Sequence, residues 1–91
     1  MKHPYESYIQ PFMTKTLKNA RAKWRLTQAN MSELLRISER SYSDLERGRS
    51  CASTGTFVCY LVMLEEVEIV QLVRELRAIL EQAEQEGGDV A

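Results

Sequence analysis

Residues 27–48 read TQANMSELLRISERSYSDLERG, and this stretch decides the fold. It holds two short amphipathic patterns separated by a gap too small for anything but a tight corner. Thr27 is a natural N-cap, and a helix opening at Gln28 and Ala29 sets Met31, Leu34 and Leu35 at helical spacing on one inward face. Arg36-Ile37-Ser38 interrupts the pattern. Ser38 caps a second helix in which Ser41, Tyr42 and Leu45 face inward, while Glu39, Arg40, Ser43 and Asp44 are left outward. Gly48 ends it as the residue that turns the chain out of the helix.

Two readings fit this periodicity. One is an ordinary helical hairpin in a small all-helical core. The other is a helix pair crossing at a steep angle, with polar residues clustered at the start of the second helix, which is the geometry that enters a DNA major groove. The spelling separates them. Leu17, Arg21, Thr27-Gln28, the corner from Leu34 to Ser38 and Glu46-Arg47-Gly48 resemble the signature of the lambda-repressor/Cro-type helix-turn-helix family, in that family's spacing. The resemblance covers about residues 14–64 and is most specific in the Thr-Gln and Glu-Arg-Gly elements. It implies an all-α, five-helix, lambda-repressor-like DNA-binding domain with, in this chain, an extended C-terminal helix. The implied function is that of an XRE-like transcriptional regulator, a repressor that reads the major groove of double-stranded DNA with helix 39–47 as a homodimer.

The same resemblance assigns roles to residues. Glu39, Arg40, Ser43 and Asp44 stand where base edges are read. Arg40 suits guanine, whose O6 and N7 a guanidinium bonds together, whereas Glu39 and Asp44 accept from cytosine N4 but repel phosphate. Thr27, Gln28 and Ser38 stand at phosphates beside helix N-termini, whose free N–H groups and dipole attract anions in any case. Arg47, Arg49 and Ser50, in the loop after the recognition helix, suit a phosphate as well. Arg21 and Glu46 are expected to form a structural ion pair tying helix 1 to the end of the recognition helix. The chain departs from the family at Arg36, where glycine is usual because φ is positive, and at Ser32, where alanine is usual. An arginine in the left-handed region costs about 1 kcal/mol relative to glycine.

Ninety-one residues make one domain with a modest core. There is no apolar run near the roughly 18 residues that a membrane span needs, and MKHPYESYIQ lacks the apolar core of a signal peptide, so a cytoplasmic protein is expected. Cys51 and Cys59 have only His3 as a possible companion; no zinc-ligand spacing exists, and free thiols are expected. The net charge of −1 hides an asymmetry. Residues 1–50 carry ten Lys and Arg against five acids, +5; residues 51–91 carry two Arg against eight acids, −6. A basic half that contains the helix-turn-helix suits a polyanion partner, because phosphate contacts supply most non-specific affinity.

Along the chain, residues 1–11 read as an N-terminal arm, since a long helix is not expected to run through Pro11. Residues 12–64 make the DNA-binding domain. Its first helix is expected from Phe12–Thr14 to about Trp24, with Phe12 or Met13, Thr16, Leu17, Ala20 and Trp24 inward. A fourth helix follows the cap Ser53 and runs through Leu64. Residues 65–86 form the last helix, whose seam of Ile69, Leu72, Leu76 and Ile79 reads as a dimerisation surface or a grip on a protein partner. Residues 87–91 are a flexible tail. The alternative function is a protein-binding module, such as an antitoxin or adaptor, with weak or secondary DNA binding. A single histidine, no phosphate-cradling glycine loop and no metal cluster argue against an enzyme, and neither a cofactor nor a metal is expected.

Overall fold

The computed structural model describes residues 4–87, and every regular element among them is an α-helix. In order these are α1 (Glu6–Lys23), α2 (Gln28–Leu35), α3 (Glu39–Glu46), α4 (Thr54–Leu61) and α5 (Glu66–Gly87). Residues 1–3 of the expected arm and 88–91 of the expected tail lie outside the described residues.

Local chemistry sets most boundaries. Thr27, Ser38 and Ser53 each sit in extended backbone before α2, α3 and α4, and each hydroxyl accepts the N–H of the residue three positions on, Asn30, Ser41 and Thr56. Three helices close with a residue at positive φ: Arg25 after α1, Arg36 after α2 and Gly48 after α3, at 55°, 61° and 73°. After α3, Gly48 N–H bonds the Leu45 carbonyl and Arg49 N–H the Asp44 carbonyl, the paired bonds that satisfy a helix's last acceptors.

The core takes Met13, Leu17 and Ala20 from α1, Met31 and Leu35 from α2, Tyr42 and Leu45 from α3, Tyr60 from α4 and Leu72 from α5. Trp24 packs half-buried at its edge, its ring centroid 6.3 Å from that of Tyr60. Helix α5 runs antiparallel to α1. Lys23 meets Glu68 at 3.3 Å at one end, and Ile9 and Met13 share a hollow with Leu76 towards the other.

Five expectations are corrected. Helix α1 starts at Glu6 rather than at Phe12–Thr14 and continues through Pro11, so described residues of 1–11 are not a separate arm. Proline deletes one helical hydrogen bond, but Pro11 and Ser7, whose carbonyl loses its partner, are both exposed, and Ile9, Phe12 and Met13 pack on the core. Helix α4 stops at Leu61, with Val62 as its cap, short of Leu64. Leu34 is 44% exposed rather than inward, because the two-turn helix has room for only Met31, Ser32 and Leu35 on its buried face. Ser41 is exposed and spent on its cap, its N–H and Oγ both bonded to Ser38. Finally, of the seam assigned to dimerisation, Leu72 lies in the chain's own core, Leu76 is half-buried against that core, and Ile69 and Ile79 are half-buried. Among the described residues no helix is long and apolar enough to cross a membrane.

Candidate nucleic-acid interface

Glu46, the last residue of α3, is buried and accepts four hydrogen bonds. Arg21 of α1 supplies two, Nε to Oε2 at 2.5 Å and Nη2 to Oε1 at 3.1 Å. The Tyr42 hydroxyl donates to Oε2 at 2.5 Å, and Gln28 Nε2 at the start of α2 donates to Oε1 at 3.0 Å. Arg21 also reaches the Leu26 carbonyl at 3.1 Å with Nη1, which fixes the turn between α1 and α2. One carboxylate therefore holds three helices at a single point. Burial alone would raise its pKa, but the bonds from Arg21, Tyr42 and Gln28 outweigh that and hold it below the ordinary carboxylate range. Burial and the neighbouring Glu46 push the Tyr42 phenol upwards, keeping it protonated and donating.

The inner face of α3 being locked, its outer face is presented at a fixed angle. Glu39, Arg40, Ser43 and Asp44 line one concavity together with Gln28 from α2 and Arg47 and Arg49 from the loop beyond α3. This surface of about 410 Å³ brings together seven of the ten residues expected at DNA. Among the described residues, Arg40, Arg47 and Arg49 pair with no acid, so three guanidinium groups face solvent against the two carboxylates of Glu39 and Asp44. Thr27 and Ser38 lie outside the lining, exposed, with their hydroxyls engaged in capping. Ser50 lines a neighbouring hollow with Ile37, Ser41 and Cys51.

Three contributors escaped the sequence reading. Tyr42 reads as inward, and its bond to Glu46 is a helical i, i+4 pair that the spacing offers. Gln10 Nε2 donates to the Gly48 carbonyl at 2.8 Å, and Thr14 Oγ1 to the Leu45 carbonyl at 3.0 Å. Together these clamp the end of α3 and its loop onto α1. Starting the helix at Phe12–Thr14 leaves Gln10 with no element to hold it, while the Thr14 contact is a side-chain bond to a backbone carbonyl that no spacing announces.

At the corner, Arg36 takes φ 61° and ψ 40°, and its Nη1 lies 3.4 Å from the Leu34 carbonyl and 3.3 Å from Cys59 Sγ. Ser32, buried, donates to the Ala29 carbonyl at 2.7 Å within its own helix. Cys51 and Cys59 form no disulfide, and the described residues contain no group of three or more His, Cys, Asp or Glu able to hold a metal. Compared with models of known families, with curated proteins and with solved structures, the chain matches none.

Proposed function

We propose that this chain is a lambda-repressor-like helix-turn-helix protein that binds double-stranded DNA sequence-specifically and regulates transcription, as a repressor acting as a homodimer. The observation that carries the reading is the concavity itself. The outer face of α3, the first residue of α2 and the loop after α3 share one surface with three unpaired arginines, and the Glu46 network holds α3 rigidly behind it. In this reading α3 enters the major groove with Arg40 on a guanine, and Glu39, Ser43 and Asp44 meet neighbouring base edges. Gln28, which spends one amide hydrogen on Glu46 and keeps a second, bonds a phosphate at the start of α2. Arg47 and Arg49 neutralise phosphates beside it.

The second reading, a protein-binding module, is favoured by a different observation: Glu39 and Asp44 put two acids on a surface that must approach a polyanion. The two are separated by selecting retained sequences from a pool of random duplexes over a salt series, with wild type and Arg40→Ala. An enriched palindrome that blurs at one base pair in the variant, at a cost of about 1–3 kcal/mol there, supports the regulator. Retention that disappears by physiological salt with no enriched motif overturns it.

A further inference from the structure

Another concavity, sharing no residue with the arginine-lined one, runs between α1, α5 and the end of α4. It encloses about 800 Å³, within the range of small-molecule sites, and an inner hollow of about 220 Å³ opens from it. Tyr60 decides what that hollow can hold. A buried phenol ordinarily finds a hydrogen-bond partner, as Tyr42 does in the Glu46 carboxylate. Tyr60 is only 5% exposed, yet among the described residues its hydroxyl bonds to nothing. No fully buried polar atom there lacks a partner, so this hydroxyl opens into the hollow that Tyr60 lines.

The charges around it favour a cation. Lys23 and Glu68 both line the hollow, but they lie 3.3 Å apart and neutralise each other. Glu75 lines it too, and among the described residues pairs with no cation. Burial, then the charges of Glu68 and Glu75, push the Tyr60 phenol upwards, so both carboxylates lie within electrostatic reach of the hydroxyl. Arg74 lines the wider space but not the hollow. Trp24 and Tyr60, ring centroids 6.3 Å apart, supply an aromatic wall, and such rings attract cations. A protonated primary amine has three N–H donors to divide between the Tyr60 oxygen and the Glu75 carboxylate, whereas an anion would meet Glu75 as a like charge. We infer that this groove is a binding site for a small organic amine, its ammonium held by Tyr60 and Glu75 and its apolar body packed on Trp24 and Leu64.

The inference adds a ligand to the proposed regulator without depending on it, so binding is measured on the full chain without DNA, with 2-phenylethylamine as the probe. Trp24 is the chain's one tryptophan and lines the hollow, so its emission reports occupancy directly. At pH 7 the protonated amine is expected to shift that emission saturably. The matched probes 3-phenylpropionate and 2-phenylethanol, with a carboxylate or a hydroxyl in place of the ammonium, bind at least about tenfold more weakly. Glu75→Gln, at an exposed position that leaves helical circular dichroism unchanged, raises the dissociation constant roughly tenfold or more. Tyr60→Phe keeps the packed ring and raises it about threefold to tenfold. Glu81→Gln, on the same helix but outside the groove, leaves it unchanged. No saturable shift, equal binding of the three probes, or an unweakened Glu75→Gln or Tyr60→Phe each overturns the inference. Amine affinity that falls as protein concentration rises and chains associate puts a second copy in the groove and overturns it as well. None of these results alters whether the chain binds DNA, and loss of DNA binding leaves them standing.

Discussion

Glu46 accepts hydrogen bonds from three helices, and its ionisation makes the interface sensitive to acid. Its carboxyl titrates below the ordinary range in the folded chain and near 4.5 in the unfolded one. Ionised Glu46 therefore contributes stability that is fully present above about pH 4.5 and is lost as pH falls through the lower folded value. Glu46→Gln is expected to unfold more easily than wild type at pH 7, by about 2–3 kcal/mol, because the bonds from Arg21, Tyr42 and Gln28 weaken or lose their partner. Urea midpoints measured from pH 7 downwards should converge for the two proteins below pH 4.5; a constant gap shows that the charge contributes nothing. At Arg25 the backbone rather than the side chain carries a cost. It sits at φ 55° with an exposed side chain, and glycine there should raise stability by about 0.5–1 kcal/mol, read as a higher denaturation midpoint.

Helix boundaries were legible where a cap is a local event. Thr27, Ser38, Ser53 and Gly48 each act within a few residues, and the helices begin or end at them. The start of α1 was not legible, because the argument from Pro11 weighs one lost hydrogen bond and cannot see Ile9, Phe12 and Met13 finding a core. The same limit governs α5. Periodicity tells which side of a helix is apolar; it does not tell whether the cover is α1 or another chain, and that is why Leu72 and Leu76 were misplaced. Of the site, the concave face follows from the outward positions of α3, while the clamp from Gln10 depends on a helix start earlier than Phe12. Removing the proline tests this account. Pro11→Ala should stabilise the domain by about 1–3 kcal/mol by restoring the bond to Ser7, with the midpoint of urea denaturation as the readout. An unchanged or lower midpoint shows that the first two turns are held by packing and side-chain bonds alone.

At the scale of the molecule, charge is divided along the chain: the half with the concavity carries +5 and the half with α5 carries −6. In the proposed reading the net charge of −1 gives no general attraction to DNA, so affinity comes from the local field of Arg40, Arg47 and Arg49. Counterion release makes that field countable. The logarithm of affinity falls with the logarithm of salt concentration by about 0.9 for each phosphate neutralised. Arg49 is the cleanest probe, because its structural bond, to the Asp44 carbonyl, is made by the backbone N–H and survives a change of side chain. Arg49→Gln should therefore leave α3 and its loop in place while reducing the salt slope. A reduction of about one means that one chain occupies each DNA site; a reduction of about two means that the substitution enters twice, once from each of two chains bound together. An unchanged slope removes Arg49 from the phosphates and turns the loop after α3 away from DNA.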